Sequence, residues 1–455
     1  MERFRVVIAG GGVAGLEGLL ALREHAGDSI DITLLAPDEE FHVRPLSVTE
    51  PFERTRARSF PLREIAREHD AHFRHAALEA VDAERRVAVT ATGDELEYDA
   101  LLIAIGVRGV EALPGAFTFH GSEDRAGLAD LVADAERGGI ASIAFVMPRD
   151  AAWPLPLYEL ALMTAARLKE EGSKAQVHLV SAESRPLEMF GARGSAAVQQ
   201  LLEEAGVAIH LGPAPMRFEA RELELSDGEV LTCDRVVSLP APEAPEIPGI
   251  PQRGDRRLVP TDAYGRVDGR ERVFAAGDVT AFPIKQGGLA AQQADSAATS
   301  IAALAGEPVD PQPFRPVLRG ALITGHGPRY LRAESSGVEH GAESEVARSV
   351  LWWPPAKIAG RLLAPYLAEK AGYSKGARKQ LTDLHAPIGD DAGSVAEGHE
   401  DVVGLALESA DANARWHDFR GALRWLEVAE DLELYLPATY DAKRLAWTEL
   451  ARQGN

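Results

Sequence analysis

The chain has 455 residues, of which 45% are hydrophobic, 48 are basic and 70 are acidic, giving a net charge of -22. This composition predicts a folded protein of two or three domains, and the negative charge argues against nucleic acid and anionic lipid as partners. The single cysteine excludes an internal disulfide and a two-cysteine redox centre, which favours a cytoplasmic location. No window offers ~20 uninterrupted apolar residues, so we expect no transmembrane segment.

The first predicted unit is a strand, a glycine-rich turn and a helix. A short buried strand over 4–9 precedes three glycines in G-x-G-x-x-G spacing, and an apolar-rich helix follows. Gly10 permits a tight turn, Gly12 lets the backbone approach a pyrophosphate, and Gly15 lets the helix pack on the strand. The helix N-terminus supplies free N–H groups. With a second strand over 31–35, this unit predicts a dinucleotide-binding site.

The end of the second strand departs from the usual pattern. The acidic residue that would bond the ribose hydroxyls is replaced by Ala36 and Pro37, and Asp38 and Glu39 follow. Either shifted carboxylate is a candidate ribose ligand. The alternative is that both belong to a solvated acidic turn.

Two later segments resemble the parts of two-dinucleotide flavoproteins that complete an FAD-binding domain. LEYDALLIAIG (96–106) resembles the strand and glycine that lead back to that domain. VFAAGDVTAFPIKQGGLAAQQADSAA (273–298) resembles the second FAD fingerprint, in which Asp278 after Gly277 would meet the ribitol hydroxyls. A helix from about Gly288 would then direct its N-terminus at the pyrimidine end of the flavin.

Together these segments resemble the FAD-dependent pyridine nucleotide-disulfide oxidoreductase superfamily, in its branch of type II NADH dehydrogenases and sulfide:quinone oxidoreductases. The resemblance covers roughly residues 1–385 and implies an α/β fold with two Rossmann-like domains, a C-terminal cap and a small helical appendage. The implied organisation, in terms of residues, is an FAD-binding domain in two parts (1–110 and 249–315), an inserted NAD(P)-binding-like domain (111–248), a flavin-capping region (316–387), a linker (388–400) and a helical hairpin like a tetratricopeptide repeat (401–455).

The resemblance also implies which residues contact the cofactor. Lys285, with the helix dipole, would stabilise the negative charge of a reduced flavin; the alternative is an exposed lysine before a helix. FHVRPLSVTEPF (41–52) resembles a segment in which Arg44 would neutralise a phosphate and Pro45 would line the ring; the alternative is a surface arginine in a proline-stiffened loop. The full set of implied cofactor-binding residues is Gly10, Gly12, Val13, Ala14, Gly15, Asp38, Glu39, Arg44, Pro45, Leu78, Ala104, Gly106, Gly277, Asp278, Gln286, Gly287 and Leu289, and no metal ligand is predicted.

The inserted domain lacks a glycine-rich turn of its own. After a strand over 144–147, the sequence MPRDAAWP (147–154) stands where type II NADH dehydrogenases would carry a second G-x-G-x-x-G. Prolines remove N–H donors and Trp153 fills space, so we expect the nicotinamide cofactor to be lost, while a different pose of NAD(P)H stays open. Trp153, Pro154 and Tyr158 would then line an apolar pocket for a quinone or another flat molecule.

The helix after this turn carries a candidate acid or base. Its Tyr-Glu-Leu-Ala run at 158–161 resembles a Val-Glu-Leu-Ala run near the flavin of NADH dehydrogenases. Desolvation beside a flavin would raise the pKa of Glu159 into a range useful for proton transfer to a reduced acceptor. The alternative is a glutamate on the helix surface.

Redox cysteines are missing from the expected positions. The disulfide reductases of the superfamily keep two cysteines in the first domain, and this chain has none before Cys233. We expect Cys233 to be a small apolar core residue on a strand. Persulfide chemistry of the sulfide:quinone oxidoreductases is therefore not expected, because it needs more than one buried thiol.

The C-terminal part combines an aromatic segment with a helical hairpin. SVLWWPPAKIAGRLLAPYLAEKAGY (349–373) contains Trp352 and Trp353, our candidates for a flavin cap with quinone access; a shallow membrane contact and an inter-domain packing helix are the alternatives. Residues 406–437 show the spacing of a tetratricopeptide hairpin with its turn at 416–418. Because one hairpin cannot bury its own faces, we expect it to dock on the body, on a twin subunit or on a partner protein.

These observations predict an enzyme, an FAD-dependent oxidoreductase that passes electrons through flavin to a quinone-like or other small acceptor without redox cysteines. Glu159 and Lys285 are its candidate catalytic residues, and the electron donor stays open. One alternative is an NAD(P)H:acceptor reductase with an atypical nicotinamide pocket. The other is a flavin-containing scaffold that recruits partners through its C-terminal hairpin. The expected location is cytoplasmic, with peripheral membrane contact left open.

Overall fold

A computed structural model of the chain describes residues 3–53, 58–149, 151–334, 344–370, 399–432, 436–437 and 439–453. The strands in this part of the chain are β1 (Phe4–Ala9), β2 (Ile30–Ala36), β3 (Glu40–His42), β4 (Ser59–Pro61), β5 (Ala71–His75), β6 (Leu78–Asp82), β7 (Val87–Thr90), β8 (Glu95–Glu97), β9 (Ala100–Ile103), β10 (Arg108–Val110), β11 (Phe117–Thr118), β12 (Ser142–Val146), β13 (Gln176–Ser181), β14 (Ala208–Leu211), β15 (Pro215–Glu219), β16 (Glu222–Leu225), β17 (Val230–Thr232), β18 (Arg235–Ser238), β19 (Ala241–Glu243), β20 (Val273–Ala275), β21 (Val317–Thr324), β22 (Gly327–Glu334) and β23 (Ser344–Ala347). The helices are α1 (Val13–Ala26), α2 (Leu62–Glu68), α3 (Arg125–Glu136), α4 (Leu155–Glu170), α5 (Gly191–Glu204), α6 (Gly287–Leu304), α7 (Leu363–Lys370), α8 (His399–Arg415), α9 (Phe419–Leu432) and α10 (Thr439–Arg452).

A five-stranded parallel sheet in the order β20-β9-β1-β2-β5 forms the first Rossmann-like unit. Its central strands are apolar and buried because both faces are covered, as is typical of parallel sheets. Helices α1 and α6 pack together on one face, and β6 and β7 lie on the other. The short strand β20 comes from late in the chain and lies beside β9, so the two predicted FAD-binding segments contribute to one sheet.

A second parallel sheet, in the order β11-β18-β12-β13-β14, forms the other Rossmann-like unit. Helix α4 makes the crossover between β12 and β13, which parallel neighbours require. The antiparallel sheet β15-β16-β17 covers one face, and Cys233 lies in the core beneath it, 1% exposed. The two sheets confirm the predicted α/β class with two Rossmann-like units, while the predicted domain boundaries stay a prediction.

The segment before α7 is held against α1 by a buried carboxylate. The two carboxylate oxygens of Glu17, in α1, accept the N–H groups of Leu362 and Leu363 at 2.7 and 2.8 Å. A Cβ at Gly360 would lie 2.4 Å from the same carboxylate. Burial raises the pKa of Glu17 to about 7. These contacts fix the course of the chain just after Lys357, which lies in the functional site.

The C-terminal helices α8 and α9 pack on the body of their own chain, and α10 packs on α8 and α9. Asn413 Nδ2 donates to the Val350 carbonyl at 3.3 Å, and the Val350 N–H donates to Ser409 Oγ at 3.0 Å. The rings of Trp353 and Trp425 meet edge to face with centroids 5.0 Å apart. Of the three docking places that the sequence left open, the structure places this helical unit on the body.

The predicted linker and the predicted helical hairpin both fall in the C-terminal part of the chain. The predicted linker at 388–400 lies outside the described residues up to 398, and α8 begins at His399. The predicted hairpin corresponds to α8 and α9 with its turn at 416–418, and α10 adds a third helix. Among the described residues, no helix has the length and apolar content needed to cross a bilayer.

Candidate functional site

The turn between β1 and α1 has a shape that requires glycine. Gly10 has a φ of 124°, and a Cβ there would lie 2.1 Å from the carbonyl oxygen of Ala104. A Cβ at Gly15 would lie 1.9 Å from the carbonyl oxygen of Gly10. At Gly12, by contrast, no atom lies within 4 Å of the Cβ position, and no side chain caps the helix there. The turn thus joins a tight backbone to open space at a helix N-terminus, which suits a phosphate.

This open space is part of a cavity of about 780 Å³, a size that is common for cofactor and small-molecule sites. Both Rossmann-like units and the C-terminal part contribute to its walls. The predicted site residues that line it are Gly10, Gly12, Val13, Ala14, Asp38, Arg44, Pro45, Leu78, Ala104, Gly106, Trp153, Glu159, Gly277, Asp278, Lys285, Gln286 and Gly287.

The N-terminus of α6 forms one end of this cavity. Gln286 is the N-cap of the helix, and its Oε1 accepts the N–H of Leu289 at 2.8 Å. The other end of the amide, Nε2, donates to the carbonyl of Arg319 at 3.1 Å, so Gln286 ties the helix to β21. The uncapped N–H groups and the dipole of this helix favour negative charge in front of it.

Lys285 and Asp278 lie together on the same wall. Lys285 Nζ donates to the carbonyl oxygens of Thr280 and Phe282 at 2.5 and 2.6 Å, which holds the ammonium in place. Burial lowers the pKa of Lys285 from 10.5 to about 8, although the nearby Asp278 opposes that shift. Burial raises the pKa of Asp278, against the cations Lys285 and Arg44. The alternative of an exposed lysine before the helix therefore does not agree with its position.

The turn between β12 and α4 fills space instead of opening it. Trp153 lies on the cavity wall with its ring edge to face on Phe190, centroids 6.1 Å apart. The carbonyl of Ala152 accepts the N–H of Lys285 at 3.3 Å, so the turn lies against the first unit. Pro154 is the N-cap of α4 and offers no N–H donor. None of the described residues of this turn is a glycine, so the tight backbone of the first turn has no counterpart among them.

A buried ion pair crosses the cavity wall near this turn. Lys357 Nζ lies 2.7 and 2.6 Å from the two carboxylate oxygens of Glu159, and it also donates to the Pro45 carbonyl at 3.1 Å. The N–H of Ile323, in β21, donates to Glu159 Oε1 at 2.8 Å. Burial raises the pKa of Glu159 and lowers that of Lys357, and the attraction between them opposes both shifts. Glu159 is thus fully buried, unlike the alternative of a helix-surface residue.

Several predicted site residues lie away from the cavity. Tyr158 points its hydroxyl at Glu183 Oε2, 2.6 Å away, because α4 turns that face toward β13. Trp352 and Trp353, which were predicted to line a pocket, do not line this cavity: Trp352 donates to the Ala356 carbonyl and packs on Tyr330, and Trp353 packs on Trp425. The other predicted residues that do not line the cavity are Gly15, Glu39, Leu289 and Pro154.

The acidic candidates after β2 diverge in position. Asp38 lines the cavity, whereas Glu39 is 73% exposed and faces His75 at 3.8 Å. Backbone geometry explains the divergence, because the chain bends at residues 37 and 39, between β2 and β3, and turns the two side chains in different directions. Between the two, only Asp38 is placed to reach a ligand in the cavity.

Some cavity residues were missed by the sequence argument. Lys357, Arg319 and His120 line the cavity, and His120 Nδ1 lies 3.0 Å from Asp124 Oδ2. The signal for Lys357 was present, since it is the one cation in the apolar stretch WWPPAKIAG. Arg319 lies between Leu318 and Gly320 on a strand and resembles an ordinary solvent-facing position. No local pattern marks it as part of a site.

The two parallel sheets share one cavity. A glycine turn lies at one end of this cavity and a helix N-terminus lies at the other. This arrangement defines the class of two-Rossmann flavoprotein oxidoreductases. The model of the pyridine nucleotide-disulphide oxidoreductase family matches residues 4–139 and 159–300. The chain belongs to this family and is a flavin oxidoreductase. The interval between the two matched parts, residues 140–158, contains the turn with Trp153.

Similar proteins agree with this assignment. The sulfide-quinone reductase of Aquifex aeolicus (strain VF5) is 26% identical over 306 residues, covering 61% of this chain and 69% of that protein. A solved structure of the sulfide:quinone oxidoreductase from Aquifex aeolicus has a TM-score of 0.69 at 18% identity, covering 84% of this chain and 93% of that one. A ferredoxin reductase from Rhodopseudomonas palustris has a TM-score of 0.55 at 19% identity, covering 74% and 83%. At such identities the solved structures show a shared fold.

Proposed function

We propose that the protein is an FAD-dependent oxidoreductase that passes electrons through its flavin to a quinone-like or other small acceptor, without redox cysteines. The observation that carries this proposal is one cavity that connects the glycine turn at Gly10 and Gly12 with Lys285 before α6 and with the Glu159–Lys357 pair. A phosphate site, a cationic end and a buried proton-carrying pair in one space are what such a reaction requires.

The residues present fit FAD along the length of the cavity. Gly12 leaves room for a pyrophosphate at the start of α1, and Asp38 would bond the adenosine ribose. Asp278 would bond the ribitol, and Gln286 and Gly287 would face the pyrimidine edge. When bound, FAD supplies the two-electron chemistry, while the protein supplies position and electric field.

Lys285 would stabilise the negative charge of the reduced cofactor. Its pKa of about 8 leaves the ammonium mostly charged at neutral pH, and two backbone carbonyls keep it in position. The dipole of α6 acts in the same direction. Because both charges are in place beforehand, no reorganisation is needed when the negative charge develops.

The Glu159–Lys357 pair would deliver a proton to the acceptor. Burial disfavours charge on both groups, whereas their mutual attraction favours it. The charged pair and the neutral pair, in which the proton has moved from Lys357 to Glu159, therefore lie closer in free energy than they would in water. Both residues line the cavity, which supports a role for the pair in proton transfer to an acceptor bound there. Lys357 thus joins Glu159 as a candidate in proton transfer.

The electron donor is a small molecule other than NADH or NADPH in this proposal. The turn before α4 carries Trp153 and prolines instead of glycines, which removes close backbone approach for a second pyrophosphate. Cysteine chemistry is also disfavoured, because Cys233 is buried and its pKa is raised to about 11.

Anaerobic spectroscopy tests the proposal. The purified protein should show flavin absorbance near ~450 nm, which chemical reduction bleaches and a soluble quinone restores within seconds. NADH and NADPH should bleach it far more slowly than chemical reduction. Protein without flavin, or reduced flavin that no quinone reoxidises, contradicts the proposed function. Fast bleaching by NADH instead supports the reductase with an atypical nicotinamide pocket.

A further inference from the structure

Two arginines face each other across the antiparallel pair of β21 and β22. Arg319 and Arg332 are direct partners in the register of these strands. The Nε atom of each is buried and has no hydrogen-bond partner. Like charges directly opposite each other on a sheet are destabilising, and unpaired buried donors add to that cost. An arrangement of this kind calls for an anion.

Among the described residues, the carboxylates of Asp418 and Glu334 attract both arginines and that of Glu345 attracts Arg332, but they act mostly from a distance. The nearest carboxylate to Arg332 is Glu334, at 3.8 Å, and its side chain is 57% exposed. Arg332 also lies over the Trp416 ring, 4.2 Å from its centroid, which supports its cation from one side. Arg319 has neither contact: none of the described residues forms an ion pair or a ring contact with its guanidinium.

Arg319 nevertheless remains a cation at neutral pH. Burial, with Arg332 beside it, lowers the pKa of Arg319 to about 10, which is well above 7. Lys357, another deeply buried cation of the cavity, has the carboxylate of Glu159 as its partner. Arg319 is therefore a buried positive charge that no carboxylate of the described residues meets at ion-pair distance, although Asp418 and Glu334 attract it from farther away.

Arg319 lies on the wall of the same cavity. It lines the space together with its neighbour Gly320 and with Lys357, and its carbonyl accepts from Gln286 at the start of α6. A ligand in the cavity is thus the available source of a counterion. A planar guanidinium is suited to a carboxylate or sulfonate, which it binds through two parallel hydrogen bonds.

We propose that Arg319, supported by Arg332, binds an oxyanion carried by the small molecule that reacts in this cavity. The acceptor would then be a flat, quinone-like compound bearing an acidic group, in preference to a neutral one. This inference rests on the proposed function, which it narrows to a substrate class. Arg332 is a positioning residue, because it acts through Arg319 and the Trp416 ring.

Equilibrium binding to the flavin-loaded protein tests this inference without turnover. The probes are naphthalenesulfonate and its neutral counterpart naphthalenemethanol, with affinity measured by titration calorimetry. The wild-type protein should bind the sulfonate at least about tenfold more tightly, and Arg319→Gln should remove the difference by weakening the sulfonate about 10- to 100-fold. Arg329→Gln is the matched control, since Arg329 is a half-buried arginine of β22 that does not line the cavity.

Three results overturn the inference. The first is equal affinity of the wild-type protein for both probes. The second is a sulfonate preference that survives Arg319→Gln. The third is a change confined to the flavin reduction potential, which would place the guanidinium at the cofactor. Should Arg319→Gln fail to fold, Arg319→Lys keeps the charge and loses the paired geometry, so the preference should fall several-fold; an unchanged preference counts against the proposal.

A turnover experiment distinguishes failure of the proposed oxyanion site from failure of the proposed function. Reoxidation of the reduced flavin is compared for naphthoquinone and naphthoquinone sulfonate. If the neutral quinone works and the sulfonate has no advantage in KM, only the substrate class is refuted. If neither reoxidises the flavin, the proposed function itself fails, whatever the binding data show.

Discussion

Glu159 and Lys357 are 198 positions apart in the chain, yet Lys357 Nζ lies within 2.7 Å of both carboxylate oxygens of Glu159. The side chains of Glu159 and Lys357 are 0% and 5% exposed. Each therefore neutralises the buried charge of the other, which would have no partner if one residue were removed. The contact joins α4 of the second Rossmann-like unit to the C-terminal part, at the wall of the cavity. The same ion pair therefore contributes to the stability of the fold and to the function that we propose.

Removing one partner of this pair should destabilise the protein strongly. We expect Lys357→Met to lower the free energy of unfolding by about 3 to 5 kcal/mol, because the Glu159 carboxylate is left buried without a cation. The double variant Glu159→Gln with Lys357→Met should lose less than the sum of the two single losses. Denaturant unfolding of the four proteins measures this coupling, and strictly additive losses would contradict the pairing.

Replacing glycine by alanine should have different effects at Gly10 and at Gly12, the two ends of the turn between β1 and α1. Gly12→Ala should leave the free energy of unfolding within about 0.5 kcal/mol, because nothing lies near its Cβ, while flavin affinity falls at least about tenfold since the methyl enters the ligand space. Gly10→Ala should fail to fold well, because its Cβ would meet the Ala104 carbonyl. Flavin titration and thermal unfolding separate the two effects. Unchanged flavin affinity in Gly12→Ala would place the pyrophosphate elsewhere.

The lowered pKa of Lys285 should appear in the pH dependence of stability. Between about pH 8, its folded pKa, and its ordinary value of 10.5, the unfolded chain holds a proton that the folded protein has released, so stability rises with pH. Relative to Lys285→Met, the wild-type free energy of unfolding should increase by about 1 to 2 kcal/mol from pH 7.5 to 9.5. Parallel denaturant curves at both pH values check this sign, and a wild-type decrease would refute it.

The docking of the C-terminal helices should depend on Trp425. This ring is fully buried against Trp353, so Trp425→Ala should cost about 3 to 5 kcal/mol of unfolding free energy or uncouple α8–α10 from the body. Leu445→Ala is the control, because Leu445 in α10 is 75% exposed, and it should change stability by less than about 0.5 kcal/mol. Limited proteolysis and thermal unfolding report on both. Equal behaviour of the two variants would contradict the docking.

Sequence patterns succeeded where the determining interactions are local. The G-x-G-x-x-G spacing predicts the β1 turn because Gly10 and Gly15 each exclude a Cβ through a neighbouring backbone carbonyl. The start of α6 was also predicted closely, near Gly288, since a strand, an aspartate and a small-residue helix succeed each other within a short stretch. The bulky turn before α4 followed from its prolines and Trp153. The two-unit α/β class, which was predicted from the same kind of local pattern, is confirmed by the two parallel sheets.

Sequence patterns failed where a side chain could face either of two neighbours. Trp352 and Trp353 suit a cofactor cap or a packing interface equally well, and the choice depends on Tyr330 and Trp425, which pack on them. Tyr158 and Glu159 are adjacent in α4, so their side chains point about 100° apart around the helix, and only one reaches the cavity.

What this sequence determines by itself is the set of local units: the glycine turn, the filled turn before α4, the apolar parallel strands and the single thiol. Backbone sterics and hydrophobic pattern act within ten or so residues, so they can be read directly. Tertiary structure alone decides that Lys357 neutralises Glu159, that Arg319 and Arg332 face each other across two strands, and that Trp425 of α9 packs on Trp353. Charge pairing and burial depend on which distant segments meet, and that is settled only when the chain packs.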